Sequence, residues 1–320
     1  MLRKSLLVVV LFCCHWVSYG QFDSNRSIWF TDLNQAFKNP ERVFNLDLSG
    51  QGLDSIPSFL PIFRNLKSLK LSDNNIRALN QYLNQLPALK YLELSGNRIR
   101  DIDFSLLEGL KYTLEGLWMR DNQITHIDST INHLQSLNLL DLGNNKIATL
   151  DRSIQLKYLE ILRLDNNFLS SAPALLHQSP KLQELNLYGN LLTTFELNAT
   201  HAYLRKLNLG SNPISTLHIA PAKYRLKTII LDWVDFSQNN LPALPLSIET
   251  LSLEHCQLSE IPDGVVALPF LKELSLMHNN LSTLPEAICQ LPRLKKIWLT
   301  GNPMGWTENF CAEGTLEIIR

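Results

Sequence analysis

Two histidines, His255 and His278, stand 23 residues apart, and Glu254 precedes the first. Imidazole and carboxylate are donor types that grip Zn²⁺, but two histidines and an uncertain third ligand do not make a zinc site. Two solvated polar side chains account for them. The chain holds no GxSxG, HExxH, GxxxxGKS/T or GxGxxG run, so it carries no recognisable nucleophile elbow, metalloprotease helix or phosphate loop. No catalytic residue, cofactor or metal is assigned, and the chain is read as a non-enzyme. It does carry contact chemistry. Tyr91, Trp118, Arg120, Asp141, Arg163, Asp165, Asn186 and Tyr188 form one succession, and Trp233, Glu254, His255, Met277 and Trp298 form a second. Tyr, Trp and Arg are the types enriched at binding hot spots. Whether these residues stand together depends on the elements that carry them.

Those elements repeat. LKSLKLSDNNI from Leu66, LKYLELSGNRI from Leu89, LNLLDLGNNKI from Leu137, LEILRLDNNFL from Leu159, LQELNLYGNLL from Leu182, LRKLNLGSNPI from Leu204, LKELSLMHNNL from Leu271 and LKKIWLTGNPM from Leu294 all fit LxxLxLxxNxL. Weaker copies begin at Val43, Leu114 and Ile248. Starts are separated by 23, 23, 25, 23, 22, 23 and 22 residues as far as Leu204, and by 23 between each of the last three. Between Leu204 and Ile248 two registers compete. A start at Leu226 keeps even steps of 22 but puts Val234 where Asn belongs; a start at Leu231 recovers Asn239 but forces steps of 27 and 17. Even coil length favours Leu226, because stacked coils tolerate one missing Asn better than uneven length.

Repetition at this period marks a solenoid, and the pattern resembles the leucine-rich repeat, in particular bacterial exported proteins with 22–24-residue repeats. The resemblance implies an α/β leucine-rich repeat horseshoe of about 12 repeats, with a concave parallel β-sheet and short helical or 3₁₀ returns such as IPDGVVAL and LPEAICQL. Leucines at the fourth and sixth positions point inward, since strand side chains alternate. Leu46, Leu71, Leu94, Leu142, Leu164, Leu187, Leu209 and Leu276 are assigned to the core. The ninth-position Asn satisfies backbone groups at the turn in such proteins, and Cys256 takes that place once. Third, fifth and seventh positions face out of the sheet. The first succession above therefore gathers on the concave face, with Asp141 beside Arg163 in one column and Arg120 two strands from Asp165 in another. The second gathers towards the C-terminus, where His255 and His278 share the eighth position. The alternative is charges that neutralise one another and keep the face soluble.

The array is expected over 43–304. Residues 21–42 are read as a capping helix and lead-in, with an amphipathic helix over 28–38 and Ser27 as N-cap; residues 305–320, with Trp306, Phe310, Leu316, Ile318 and Ile319, as a C-terminal cap. Residues 1–20 read as a cleavable signal peptide: Arg3 and Lys4, then LLVVVLFCCHWV, then small residues at Ser18 and Gly20. The apolar run falls short of the roughly 20 residues a membrane span needs, and no second span follows Met304. The mature chain would keep Cys256, Cys289 and Cys311; the odd number argues against a disulfide framework, and the absence of disulfide-rich caps favours a bacterial exported protein.

With 45% apolar and 18% charged residues the chain is globular, and a net charge of −1 gives no reason to expect nucleic acid. The resemblance implies a non-enzymatic protein-binding module, exported to the periplasm, surface or medium; the aromatics admit an oligosaccharide as a further class of partner. Two alternatives are an intracellular signalling scaffold, against which the N-terminal segment argues, and a relative of ubiquitin-ligase effectors, which would need a catalytic domain beyond Met304.

Overall fold

The computed structural model describes residues 28–197, 203–219, 225–237, 241–305 and 316–319. The signal reading, Ser27, Trp306, Phe310 and Cys311 lie outside these. Each coil contributes one strand of three residues, from Asn45–Asp47 to Lys296–Trp298. Together with Glu317–Ile319 they form a 13-stranded parallel sheet in sequence order. Parallel neighbours need a crossover, and here each crossover is one return of the coil. The result is a curved, open solenoid whose strands, roughly 4.8 Å apart, run on the order of 50 Å along one face.

Most described returns carry a one-turn helix or a 3₁₀ segment. Asp263–Val266 is α-helical, and Glu286–Ile288 is 3₁₀. Two further strand pairs lie outside the main sheet, His126–Ile127 with Thr149–Leu150 and Thr194–Leu197 with Thr216–Ile219. All eight leucines assigned to the core are fully buried. The irregular coil takes the register from Leu226. Thr228–Ile230 pairs with Lys206–Asn208 on one side and Thr250–Ser252 on the other.

The ninth-position asparagines explain why coils of nearly constant length stack. Asn145 Nδ2 donates to Leu142 O of its own coil and to Met119 O of the coil before, both at 3.0 Å, and its Oδ1 accepts from Ile124 N at 3.0 Å. Each such amide ties two coils at a buried turn whose backbone groups would otherwise lack partners. Cys256 keeps part of this role, its Sγ lying 3.3 Å from both Leu231 O and Glu254 O.

Two expectations are corrected. The amphipathic helix over 28–38 is a single turn, Leu33–Ala36, capped by Asp32, whose carboxylate accepts from Asn34 N at 2.8 Å. The residues before it are extended because Phe30 bridges Leu46, with Phe30 N donating to Asn45 O at 3.0 Å and Asp47 N to Phe30 O at 2.8 Å. Covering the open edge strand with backbone hydrogen bonds prevails over the helical spacing. Second, Cys289 is disulfide-bonded, with its partner outside the described residues, while Cys256 is free and buried. At the far end Leu316 and Ile318 pack on the core and Glu317–Ile319 pairs with Lys296–Trp298. Among the described residues no helix is long and apolar enough to cross a membrane.

Candidate functional site: the concave face and the C-terminal rim of the sheet

Strand register places the central residues as the column reading required. Trp118 is opposite Asp141, Asp141 opposite Arg163, and Arg163 opposite Asn186. Arg120 extends over the next coil to Asp165, with Nη1–Oδ1 at 3.1 Å and Nη2–Oδ2 at 2.6 Å. It also lies 3.6 Å from Asp141, which Arg163 approaches at 3.4 Å. Asn186 Nδ2 donates to Asp165 Oδ1 at 3.1 Å, and Gly143 N to Asp141 Oδ1 at 3.0 Å. Burial alone would lower the Arg120 pKa, but Asp165, Asp141 and Asp121 together raise it. Burial pushes the Asp141 carboxyl up against the opposing pull of Arg120, the Gly143 N–H and Arg163.

Glycines make this packing feasible. A Cβ on Gly143 would lie 2.0 Å from Arg120 Nη1 and 2.9 Å from Asp165 Oδ1. One on Gly116 would lie 2.6 Å from the Trp118 ring, and one on Gly210 would lie 3.0 Å from the Tyr188 ring. Long side chains therefore lie down on the sheet where a neighbour has none. This corrects the expected contact surface: Trp118, Asp141, Asp165 and Asn186 are buried. Tyr91, Arg120, Arg163 and Tyr188 remain half-buried. Tyr91 sits 6.4 Å from Trp118 between ring centroids and donates through its hydroxyl to Glu115 at 3.0 Å. Glu93, beside Trp118 in register, is pushed up to about 6 by burial, against hydrogen bonds from Ser95.

At the C-terminal rim the eighth position has positive φ in every coil. Nine coils place Gly50, Asp73, Gly96, Asp121, Asn144, Asn166, Gly189, Ser211 or Gly301 there, residues that are small or tolerate the left-handed region. Three consecutive coils instead place Trp233, His255 and His278, at φ of 64°, 55° and 55°. Their rings stack: Trp233 on His255 at 3.8 Å and 9°, His255 on His278 at 4.4 Å and 13°. His278 in turn lies over Gly301, where a Cβ would come within 2.3 Å of its Nδ1. Trp233 stays 50% exposed.

Under the stack lies an acid pair. Asp232 accepts from Ser252 Oγ at 2.6 Å and Glu254 N at 2.9 Å, and Glu254 accepts from Ser275 Oγ at 2.6 Å. Burial pushes Asp232 up to about 6; burial and the charge of Asp232 push Glu254 up to about 7. Burial and neighbouring His278 lower His255 to about 4. The expected exposure of Glu254 and Met277 is corrected, since both are buried, and Trp298 is half-buried beside Ser275 in register. Among the described residues no group of three or more His, Cys, Asp or Glu is placed to hold a metal ion. The two imidazoles stand side by side as expected, but as faces of one stack. Gly143, Asp232 and the continuation of the stack through Trp233 escaped the column reading, although the neighbouring acids at the seventh position and the three rings at the eighth were visible in the sequence.

Comparison with known proteins gives a consistent result. The family described as "Leucine rich repeat" matches residues 247–304, "Leucine Rich repeats (2 copies)" matches 64–109, and the leucine-rich repeat part of "Leucine-rich repeat and WD repeat-containing protein 1" matches 111–216. Mouse Tsukushi is 33% identical over 123 residues, 36% of this chain; the match spans only 35% of Tsukushi's own length. Among solved structures, an internalin of Listeria monocytogenes superposes with a TM-score of 0.64 at 20% identity, covering 88% of each chain. The leucine-rich repeat ectodomain of the Arabidopsis thaliana receptor kinase GASSHO1/SCHENGEN3, solved in complex with CASPARIAN STRIP INTEGRITY FACTOR 2, gives 0.56 at 23% identity, covering 82% of this chain and 35% of that one.

Proposed function

This chain is a leucine-rich repeat protein, and on that premise we propose that it is a non-enzymatic recognition protein that binds a protein partner across its concave face and C-terminal rim. Proteins of this family are typically binding scaffolds rather than catalysts. One observation carries the location: three successive coils replace the small residue of the eighth position with stacked rings, and the outermost, Trp233, is half exposed. Left-handed backbone disfavours a bulky side chain, so three in a row are not what stacking the coils requires. Tyr188 and the exposed part of Arg120 extend the surface along the same side, over a rigid buried base of Asp141, Asp165 and Asn186. A preformed surface loses little conformational freedom on binding.

The proposal includes export. Disulfides persist in oxidising compartments, and Cys289 is in one; the N-terminal reading points the same way. The bacterial source expected from the absence of disulfide-rich caps is no part of this proposal. A photo-crosslinking residue at position 233 or 188 tests the surface. It should capture a protein that the same residue at position 157, at the other end of the strands, does not; equal capture at all three positions would remove the site.

A further inference from the structure

The opposite edge of the sheet carries a second ordered pattern. The residue before each coil's first leucine projects at the N-terminal end of the strand. Over seven successive coils this position reads Tyr158, Lys181, Tyr203, Arg225, Ser247, Phe270 and Arg293. Each cation follows a ring and lies over it: Lys181 Nζ 4.3 Å from the Tyr158 centroid, the Arg225 guanidinium 5.6 Å from Tyr203, and that of Arg293 4.6 Å from Phe270. The rings remain 53%, 53% and 39% exposed.

Two residues further along, a backbone ladder fixes a parallel row. Arg205 N donates to Gln183 O, Lys227 N to Arg205 O, Lys272 N to Glu249 O and Lys295 N to Lys272 O, each at 2.8 Å. Glu160 begins this row, its carbonyl accepting from Gln183 N at 2.8 Å, and Glu249 sits within it, 2.5 Å from Lys227 and 2.6 Å from Lys272. The chain as a whole has a net charge of −1, so this excess of cations on one edge is a matter of placement, not composition.

We infer that this edge is a docking strip for an extended acidic polysaccharide, a polymer bearing carboxylate or sulfate groups at regular intervals. The ladder fixes the backbone of the inner row at the coil spacing, roughly 4.8 Å, and the outer cations Lys181, Arg225 and Arg293 project two and three coils apart along the same edge. Such a row suits a polymer whose charge repeats better than a folded protein whose charge does not. Contact with a ring holds each head group outward and is worth about 0.5–1 kcal/mol at an exposed site. The same contact occupies ring faces that unpaired bases would need as stacking platforms, which disfavours single-stranded nucleic acid. The strip is separate from the proposed protein-binding surface, and either assignment stands if the other fails.

Heparin and a polyuronate are the probes, titrated at low and physiological salt into the full chain. The wild type should bind at least one of them, weakening steeply as salt screens the charges. Lys181→Gln with Arg225→Gln and Arg293→Gln should weaken binding about tenfold or more, as expected when several polyanion contacts are lost. The same change of charge at Arg77, Arg98 and Arg100, exposed residues past the asparagine ladder, should leave affinity within about twofold. Lys181→Gln, Arg225→Gln and Arg293→Gln made singly, at exposed side chains, should each give a partial loss. Equal weakening by the two triples, no binding of the wild type to either polysaccharide, or equally tight binding to single-stranded DNA of matching length would overturn the inference.

Discussion

Arg120 and Asp165 are two coils apart and meet in a two-bond ion pair because the residue between them in the column, Gly143, has no side chain. Gly143 has no positive φ, so alanine suits its backbone and the substitution isolates the steric effect. Gly143→Ala should displace the guanidinium, uncover the buried Asp165 and destabilise by about 1–3 kcal/mol, the usual range for overpacking. Urea unfolding measures it. A loss under about 0.5 kcal/mol, the range of neutral surface changes, would mean that the arginine reaches Asp165 by another path.

Trp233 separates binding from folding. Its left-handed backbone costs roughly 1–2 kcal/mol for a bulky residue, against about 0.5–1.5 kcal/mol for its stacking on His255. These nearly cancel. Trp233→Asn should therefore leave thermal stability within about 1 kcal/mol while abolishing capture of the crosslinked partner. Capture undiminished in this variant would exclude the stack from the contact surface.

The fold was legible in the sequence because one physical requirement recurs in every coil. Leu164 and its equivalents must be buried between neighbours, and Asn145 and its equivalents must satisfy the turn. Even the irregular coil yielded, since uniform length outweighed the asparagine missing at Val234. The site was less legible. Column positions located Arg120 and Asp165 correctly, but columns carry no depth. Trp118 was expected to face a partner and instead covers Gly116. Which long side chain lies down depends on where a glycine stands beside it, in the same strand for Trp118 over Gly116 and in the next coil for Arg120 over Gly143, a pairing that column positions alone do not display. The helix expected over 28–38 is only Leu33–Ala36, because Phe30 follows the open edge of the first strand rather than its local helical spacing.

Asn145 offers a direct measure of the ladder. Asn145→Ala would leave Met119 O, Leu142 O and Ile124 N without their present partner. An unsatisfied buried polar group costs about 1–3 kcal/mol, so a total loss of about 2–5 kcal/mol is expected, similar to that from Leu164→Ala in the core. Asn145→Cys should recover part of it, as the thiol of Cys256 does in its own coil. If the cysteine variant is no more stable than the alanine one, thiol contact with carbonyls contributes nothing at this position.

Cysteine state tests compartment and cap together. If residues 1–20 are cleaved as proposed, Cys256, Cys289 and Cys311 remain, and of the described cysteines Cys289 is bonded and Cys256 free. Alkylation of the secreted, denatured protein without reductant should therefore label one thiol, mapped by peptide mass spectrometry to Cys256. Labelling of all five cysteines of a chain that still carries Met1 would place the native protein in a reducing compartment and remove the case for export.

The acid pair under the ring stack makes stability depend on pH in an unusual direction. Asp232 and Glu254 have folded pKa values of about 6 and 7, above their ordinary values of 3.8 and 4.5. Between those limits the folded state holds more protons than the unfolded one, so stability falls as pH rises. The cost is absent below about pH 4 and fully present above about pH 7. His255 opposes this over part of the window. Its folded pKa of about 4 lies below the ordinary 6.5, so it favours the fold increasingly as pH rises from 4 to 6.5. Glu254→Gln removes one carboxylate and lets its amide oxygen keep accepting from Ser275 Oγ. Relative to the wild type, this variant should gain stability progressively from pH 5 to pH 8, visible as a rising difference in Tm. A difference that stays flat or reverses over that interval would show that Glu254 ionises in the fold as readily as in water.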